Sequence, residues 1–172
     1  MLMETSKKVD SYRFLNRPAK KLVKSWISRE HPRPIPWTPL KRPLSECVVT
    51  LVSTAGISCK QDRAFDIEGE RRNPWWGDPS FRVIPQTATE HDVRIDHLHV
   101  DTSYAERDLD CIFPLRRLRE LEQAGEVGQS AWSHYSIMGY ILDPRVLLSE
   151  TLPKMIRCMK DEIVDAVALI PM

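Results

Sequence analysis

No C-x-x-C pair occurs anywhere in the chain, and its four cysteines, Cys47, Cys59, Cys111 and Cys158, stand far apart. That spacing excludes a zinc ribbon or a thioredoxin-type redox motif built within these residues. In a reducing compartment it reads as free thiols, mostly buried as small hydrophobes. No apolar run approaches the ~20 residues that span a bilayer. Met1 to Lys24 lacks the uninterrupted apolar segment and cleavage site of a secretory signal, so a cytoplasmic location follows by default. Charge of one sign is also missing: 25 basic residues face 24 acidic ones for a net charge of +1. No Lys/Arg stripe is interleaved with aromatics, which argues against a nucleic-acid surface.

What is present is a chain of 172 residues, 42% hydrophobic and 28% charged, enough for one domain of ordinary size with a real core. Leu22, Val23, Trp26 and Ile27 fall on one stripe and predict a helix over about Pro18 to Ser28. Pro32, Pro34, Pro36, Pro39 and Pro43 then forbid a helix interior and favour an extended strap, with Trp37 as its anchor. Residues 1–43 therefore read as a helical arm and proline-rich strap, and residues 44–172 as the domain proper.

Cys47-Val48-Val49-Thr50-Leu51-Val52 is a short continuous apolar run, the pattern of a parallel strand buried on both faces. It ends in Ser53-Thr54-Ala55-Gly56, a small-residue turn that lets backbone approach a ligand. Gln61 to Thr89 read as a long loop in which Trp75 and Trp76 form a packed lid. Val93-Arg94-Ile95 is expected to be a strand running on through His97 and His99 to Asp101. Pro114 opens a helix carrying Leu115, Leu118 and Leu121, and Gly125 ends it. Trp132 to Ile141 is a short mixed segment broken at Gly139. Thr151 is placed to cap a further helix with Met155, Ile156 and Met159 inward. Asp165 to Ile170 is expected to be a second strand buried on both faces. The order predicts an α/β fold with a mostly parallel, Rossmann-like or flavodoxin-like sheet.

In such sheets ligands gather beyond the carboxyl ends of strands. Thr54, Ala55 and Gly56 are then candidate pocket residues, with an ordinary tight turn as the alternative. His97, His99 and Asp101 would share one face of a strand. With His134 they form either a metal site, a substrate-orienting group or a hydrogen-bonded structural cluster. Arg82 is a candidate carboxylate clamp or a salt bridge across the loop. Asp108 and Asp110 read as a carboxylate pair or as partners of backbone amides at the start of the Pro114 helix. Cys59 has no basic neighbour except Lys60 and reads as inert.

From about Trp37 to Met172 the chain resembles the B-type subunits of the glycine/sarcosine/betaine/D-proline reductases, a selenocysteine-containing family. The resemblance rests on blocks that are specific together: Trp37-Thr38-Pro39-Leu40, Val52 to Ile57, Gly77 to Pro85, His97, Asp101, Asp108-Leu109-Asp110 and Phe113-Pro114-Leu115. Arg117-Leu118, Gly125 to Gly128, His134 to Gly139 and Asp165-Ala166-Val167 complete them. It implies reductive cleavage of a carbon–nitrogen bond in an amino acid or related amine. It also implies a pyruvoyl group on a partner subunit and a selenocysteine, or a cysteine in its place, after the strand ending near Met172. On pattern alone a true terminal strand competes with an incomplete product. The resemblance favours a recoded stop codon immediately after Met172, so that no catalytic residue lies within the chain and these 172 residues lack reductase activity. Ser58, where many relatives carry histidine, and Leu98-His99-Val100, in place of a glycine-rich stretch, leave the substrate open. Thr54, Ala55, Gly56, Arg82, His97, Asp101 and His134 are the expected substrate-side residues. The rival readings are a metal-dependent hydrolase or lyase using His97, His99, Asp101 and His134, and a non-catalytic interaction module.

Overall fold

The computed structural model describes residues 16–28, 34, 38–73, 76–98, 101–139 and 141–172. The chain divides into two compact units, Met1–Thr38 and Pro39–Met172. In the first, helix α1 spans Arg17–Ile27. Asn16 Oδ1 accepts from Ala19 N at 2.9 Å and so satisfies one of the open amides at the helix start. The expected Trp37 anchor lies outside the described residues.

The second unit is a mixed α/β domain whose larger sheet is mostly parallel. Strand β1, Val48–Ser53, is its centre. On one side runs β7, Ala166–Ile170, parallel and in register from Val49↔Ala166 to Ser53↔Ile170. The other side is shared in succession by β5, Gln129–Ser130, and β6, Ser133–Ile137, both parallel to β1. Strand β3, Phe81–Pro85, closes that flank antiparallel to β6. Pro85 is tolerable there because an edge strand need not donate from every residue.

Alternation along β1 divides the core. Val49 and Leu51 join Ala55, Ile84, Phe113, Leu115 and Leu118 on one side, beneath helix α3, Leu115–Gln123. Val52 joins Tyr135, Met155 and Met159 on the other, beneath helix α4, Leu152–Asp161. Covered on both faces, β1 has the burial its continuous apolar run predicts.

Other elements depart from the sequence reading. The long loop holds a six-residue helix α2, Ile67–Arg72, whose N-terminal Asp66 accepts from Gly69 N at 2.8 Å, and it also holds β3. Three residues, Ile57–Cys59, form β2 and pair antiparallel with β4, Val93–Ile95, in a separate ribbon. Thr151 does not cap α4 with its side chain; it ends a π-helical turn, Leu147–Thr151, that runs into α4. Strand β7 is not buried on both faces. Ala166 and Ala168 pack on the core, whereas Val167 is 43% and Leu169 72% exposed. Among the described residues no helix is long and apolar enough to cross a membrane.

Candidate functional site

Beyond Ser53 the backbone of β1 leaves the ladder in a tight turn. Thr54 N donates to Ile170 O at 3.1 Å and Gly56 N to Ile137 O at 3.1 Å, so the turn is tied to the ends of both β7 and β6. Ser53 is buried; its hydroxyl donates to Ile112 O at 3.0 Å and accepts from Ala55 N at 3.2 Å. Gly56 has φ of +65°, and a Cβ there would stand 2.6 Å from both Asp96 O and Met138 Sδ. Glycine is thus required by backbone sign and by space.

Thr54 and Gly139 bring the chain end into the same place. Met172 N donates to Thr54 Oγ1 at 2.8 Å. A Cβ on Gly139 would meet Thr54 O at 3.0 Å and Met172 O at 3.4 Å. The carboxyl ends of three parallel strands, β1, β6 and β7, therefore converge on one small-residue corner. Ala55 and Gly56 are buried within it, and Thr54 is half-buried.

The remaining candidates disperse. His97 lies past the end of β4, half-buried, and Asp101 is exposed, so the two do not share a strand face as the H-x-H-x-D spacing suggested. Asp101 Oδ1 accepts from Ser103 N at 3.0 Å, and hydrogen bonds from Ser103 hold its carboxyl below the usual carboxylate range. His99 lies outside the described residues, as does Trp75. Among the described residues no group of three or more His, Cys, Asp or Glu side chains is arranged to hold a metal.

His134 is fully buried on β6, and both its ring nitrogens are engaged. Nδ1 accepts from Leu51 N at 3.0 Å, and Nε2 lies 3.2 Å from Ser130 Oγ. The Leu51 contact requires a bare Nδ1, so the proton of the neutral ring sits on Nε2 and points at Ser130. Burial pushes the His134 pKa down to about 4. This imidazole braces β1 against the β5–β6 side; it has no nitrogen free for a metal or a substrate.

Arg82 is likewise occupied. Nε donates to Arg63 O at 2.6 Å, Nη1 to Ser80 Oγ at 2.8 Å and Phe81 O at 2.9 Å, and Nη2 to Ala64 O at 2.8 Å. Nη2 also lies 3.7 Å from Asp78 Oδ2, and the guanidinium stacks 4.2 Å above the Phe65 ring. Burial opposes ionisation of Asp78, but hydrogen bonds from Ser80 and Asp66 N, with Arg82 beside it, hold its carboxyl low. The group organises the 61–85 segment.

Ser58 donates to Asp96 Oδ2 at 2.6 Å, and the same oxygen accepts from Phe65 N at 3.1 Å. Cys59 is buried, and burial with Asp62 and Asp92 nearby pushes its thiol up, away from thiolate chemistry. Asp110 Oδ1 accepts from Arg116 N at 3.0 Å at the start of α3, the amide-binding alternative.

No family model matches the chain, and no solved structure does. It is 35% identical over 138 residues to D-proline reductase subunit gamma of Acetoanaerobium sticklandii. The chain belongs to the D-proline reductase family. The match covers 80% of this chain and 53% of that relative, so the chain spans about half the relative's length.

The corner at Thr54, Gly139 and Met172 lies at the carboxyl ends of parallel strands, where ligands gather in open α/β sheets. The turn at Thr54, Ala55 and Gly56 is legible in the sequence as small residues after an apolar run. In the sequence Gly139 reads only as a break. The serine content of buried strands is a further signal: Ser53 Oγ accepts from Ala55 N at 3.2 Å and Ser136 Oγ from Ile57 N at 2.8 Å.

Proposed function

We propose that this chain forms part of a reductase subunit that cleaves a carbon–nitrogen bond of an amino acid or related amine. Its nucleophile, a selenocysteine or cysteine, would follow β7 directly after Met172, and a partner subunit would carry the pyruvoyl group. The observation that carries the reading is the Met172 amide on the Thr54 hydroxyl, which sets the backbone after β7 against the turn that ends β1. The family membership supports it, as does the convergence of parallel strand ends there. A chalcogen ionised at neutral pH supplies a soft nucleophile.

The residues here fit a reactive group in that position. Thr54 Oγ1 already accepts from Met172 N, so its own proton is free to be donated outward. A Cβ on Gly139 would stand 3.0–3.4 Å from Thr54 O and Met172 O, so the glycine lets these backbone segments approach closely. Thr54 would hold and orient the backbone that leads to the nucleophile, and Gly139 would allow that close approach. The exposed side chains of Val167 and Leu169 supply an apolar surface on which the rest of such a subunit would pack.

The deciding experiment reads the gene beyond the codon for Met172 and weighs the product made in its native host. A TGA codon followed by an open frame encoding a cysteine, with selenium in the purified protein, is the expected result. A TAA or TAG codon, with an intact mass ending at Met172, rejects the reading. The 172-residue chain by itself is expected to show no D-proline reductase activity with dithiothreitol as reductant.

A further inference from the structure

A cleft of about 230 Å³ lies between α3 and the segments 88–90 and 107–110. Three guanidinium-bearing residues, Arg107, Arg116 and Arg119, and three carboxylate-bearing ones, Glu90, Asp108 and Asp110, line it. Their charges are equal in number but unevenly paired. Arg116 takes both aspartates, with Nε 2.8 Å from Asp110 Oδ2 and Nη2 3.2 Å from Asp108 Oδ1, and Arg117 Nε stands 3.4 Å from the same Asp110 Oδ2. The Glu90 carboxylate lies 3.9 Å from the exposed His91 ring. Arg107 donates from Nε to Ser103 O at 3.0 Å and lies over the Tyr104 ring, with no carboxylate in ion-pair contact among the described residues.

Arg119 is different again. It is half-buried on α3, and among the described residues no hydrogen bond or ion pair holds its guanidinium. A guanidinium carries five N–H donors in a planar fork that matches a carboxylate, and partial desolvation without a partner disfavours it. Its charge is felt by His134, whose protonation it opposes.

We propose that this cleft is a binding site for a small monocarboxylate, held by the Arg119 fork with Arg107 as the second cation. The site goes beyond the reductase reading and does not depend on it. At about 230 Å³ the cleft lies below the usual range for drug-sized ligands, so it takes a small molecule. Its charge balance selects a single negative charge, because a phosphate dianion placed on Arg119 would also face Glu90, Asp108 and Asp110.

The test is a titration of the full ¹⁵N-labelled chain with propionate, and separately with inorganic phosphate, at constant ionic strength, followed by nuclear magnetic resonance. Saturable propionate shifts are expected at residues 88–90, 107–110 and 119, with phosphate weaker. Arg119→Gln is expected to weaken propionate binding about tenfold or more, as loss of a charge-assisted pair requires. Arg107→Gln, at an exposed position, weakens it less and serves if Arg119→Gln does not fold. Glu90→Gln removes a repelling charge and tightens binding. Arg71→Gln, on α2, leaves it unchanged. Linear, unsaturated drift, phosphate binding as tight as propionate, or equal weakening by Arg71→Gln overturns the site.

Discussion

His134 concentrates several constraints in one side chain. A buried acceptor that faces the Leu51 amide must stay unprotonated at Nδ1, and burial holds the ring neutral down to about pH 4. In the unfolded chain the ring titrates near 6.5. Because the folded pKa lies below the unfolded one, the stabilisation is complete above about pH 6.5 and is lost as pH falls through the window to about 4. The full difference is on the order of 3 kcal/mol. Urea unfolding at pH 7 and pH 4.5 is expected to show this loss for the parent chain. His134→Ala, which orphans the Leu51 amide, is expected to be destabilised by about 2–4 kcal/mol at pH 7 and to lack this contribution to the pH dependence. A pH slope in the variant equal to that of the parent would show that other groups carry it.

At the scale of elements, β7 is the informative strand. Its backbone is tied to β1 along five register pairs, but its side chains alternate between core and solvent. A strand with Val167 and Leu169 outward and one edge unpaired among the described residues is a template for association. In the 172-residue chain, Leu169→Lys is expected to change the unfolding free energy by no more than about 0.5 kcal/mol. It is expected to reduce self-association measured by light scattering at high concentration. A loss of several kcal/mol would mean that Leu169 is packed rather than exposed. The contrast with β1 is physical: Leu51 is buried on a central strand, whereas Leu169 is 72% exposed on a strand paired on one side.

At the scale of the whole molecule, the two units differ in what could hold them together. All buried hydrophobic residues among those described lie at or after Cys47. A domain of residues 39–172 is therefore expected to fold alone and to unfold in a single cooperative transition by calorimetry, with calorimetric and van't Hoff enthalpies equal. A broad, non-cooperative transition would show that residues before Pro39 complete the core.

Length, composition and pattern determined the α/β class, the central strand, the helices that became α3 and α4, and the small-residue turn at Thr54–Gly56. Each of those follows from local periodicity or from residues that allow few backbone states. The short elements were not legible. Helix α2 has six residues and no apolar stripe, and it forms around the Asp66 cap. Strand β3 exists because β6 lies beside it. The H-x-H-x-D face failed because β4 stops at Ile95, once its pairing with the three-residue β2 is used up. Only tertiary structure could make Arg82 a bracket for its own loop, His134 a brace within the sheet and Gly139 a neighbour of Met172. Those roles depend on which backbone atoms lie across a sheet or a loop, at separations of up to 83 residues that no local pattern encodes.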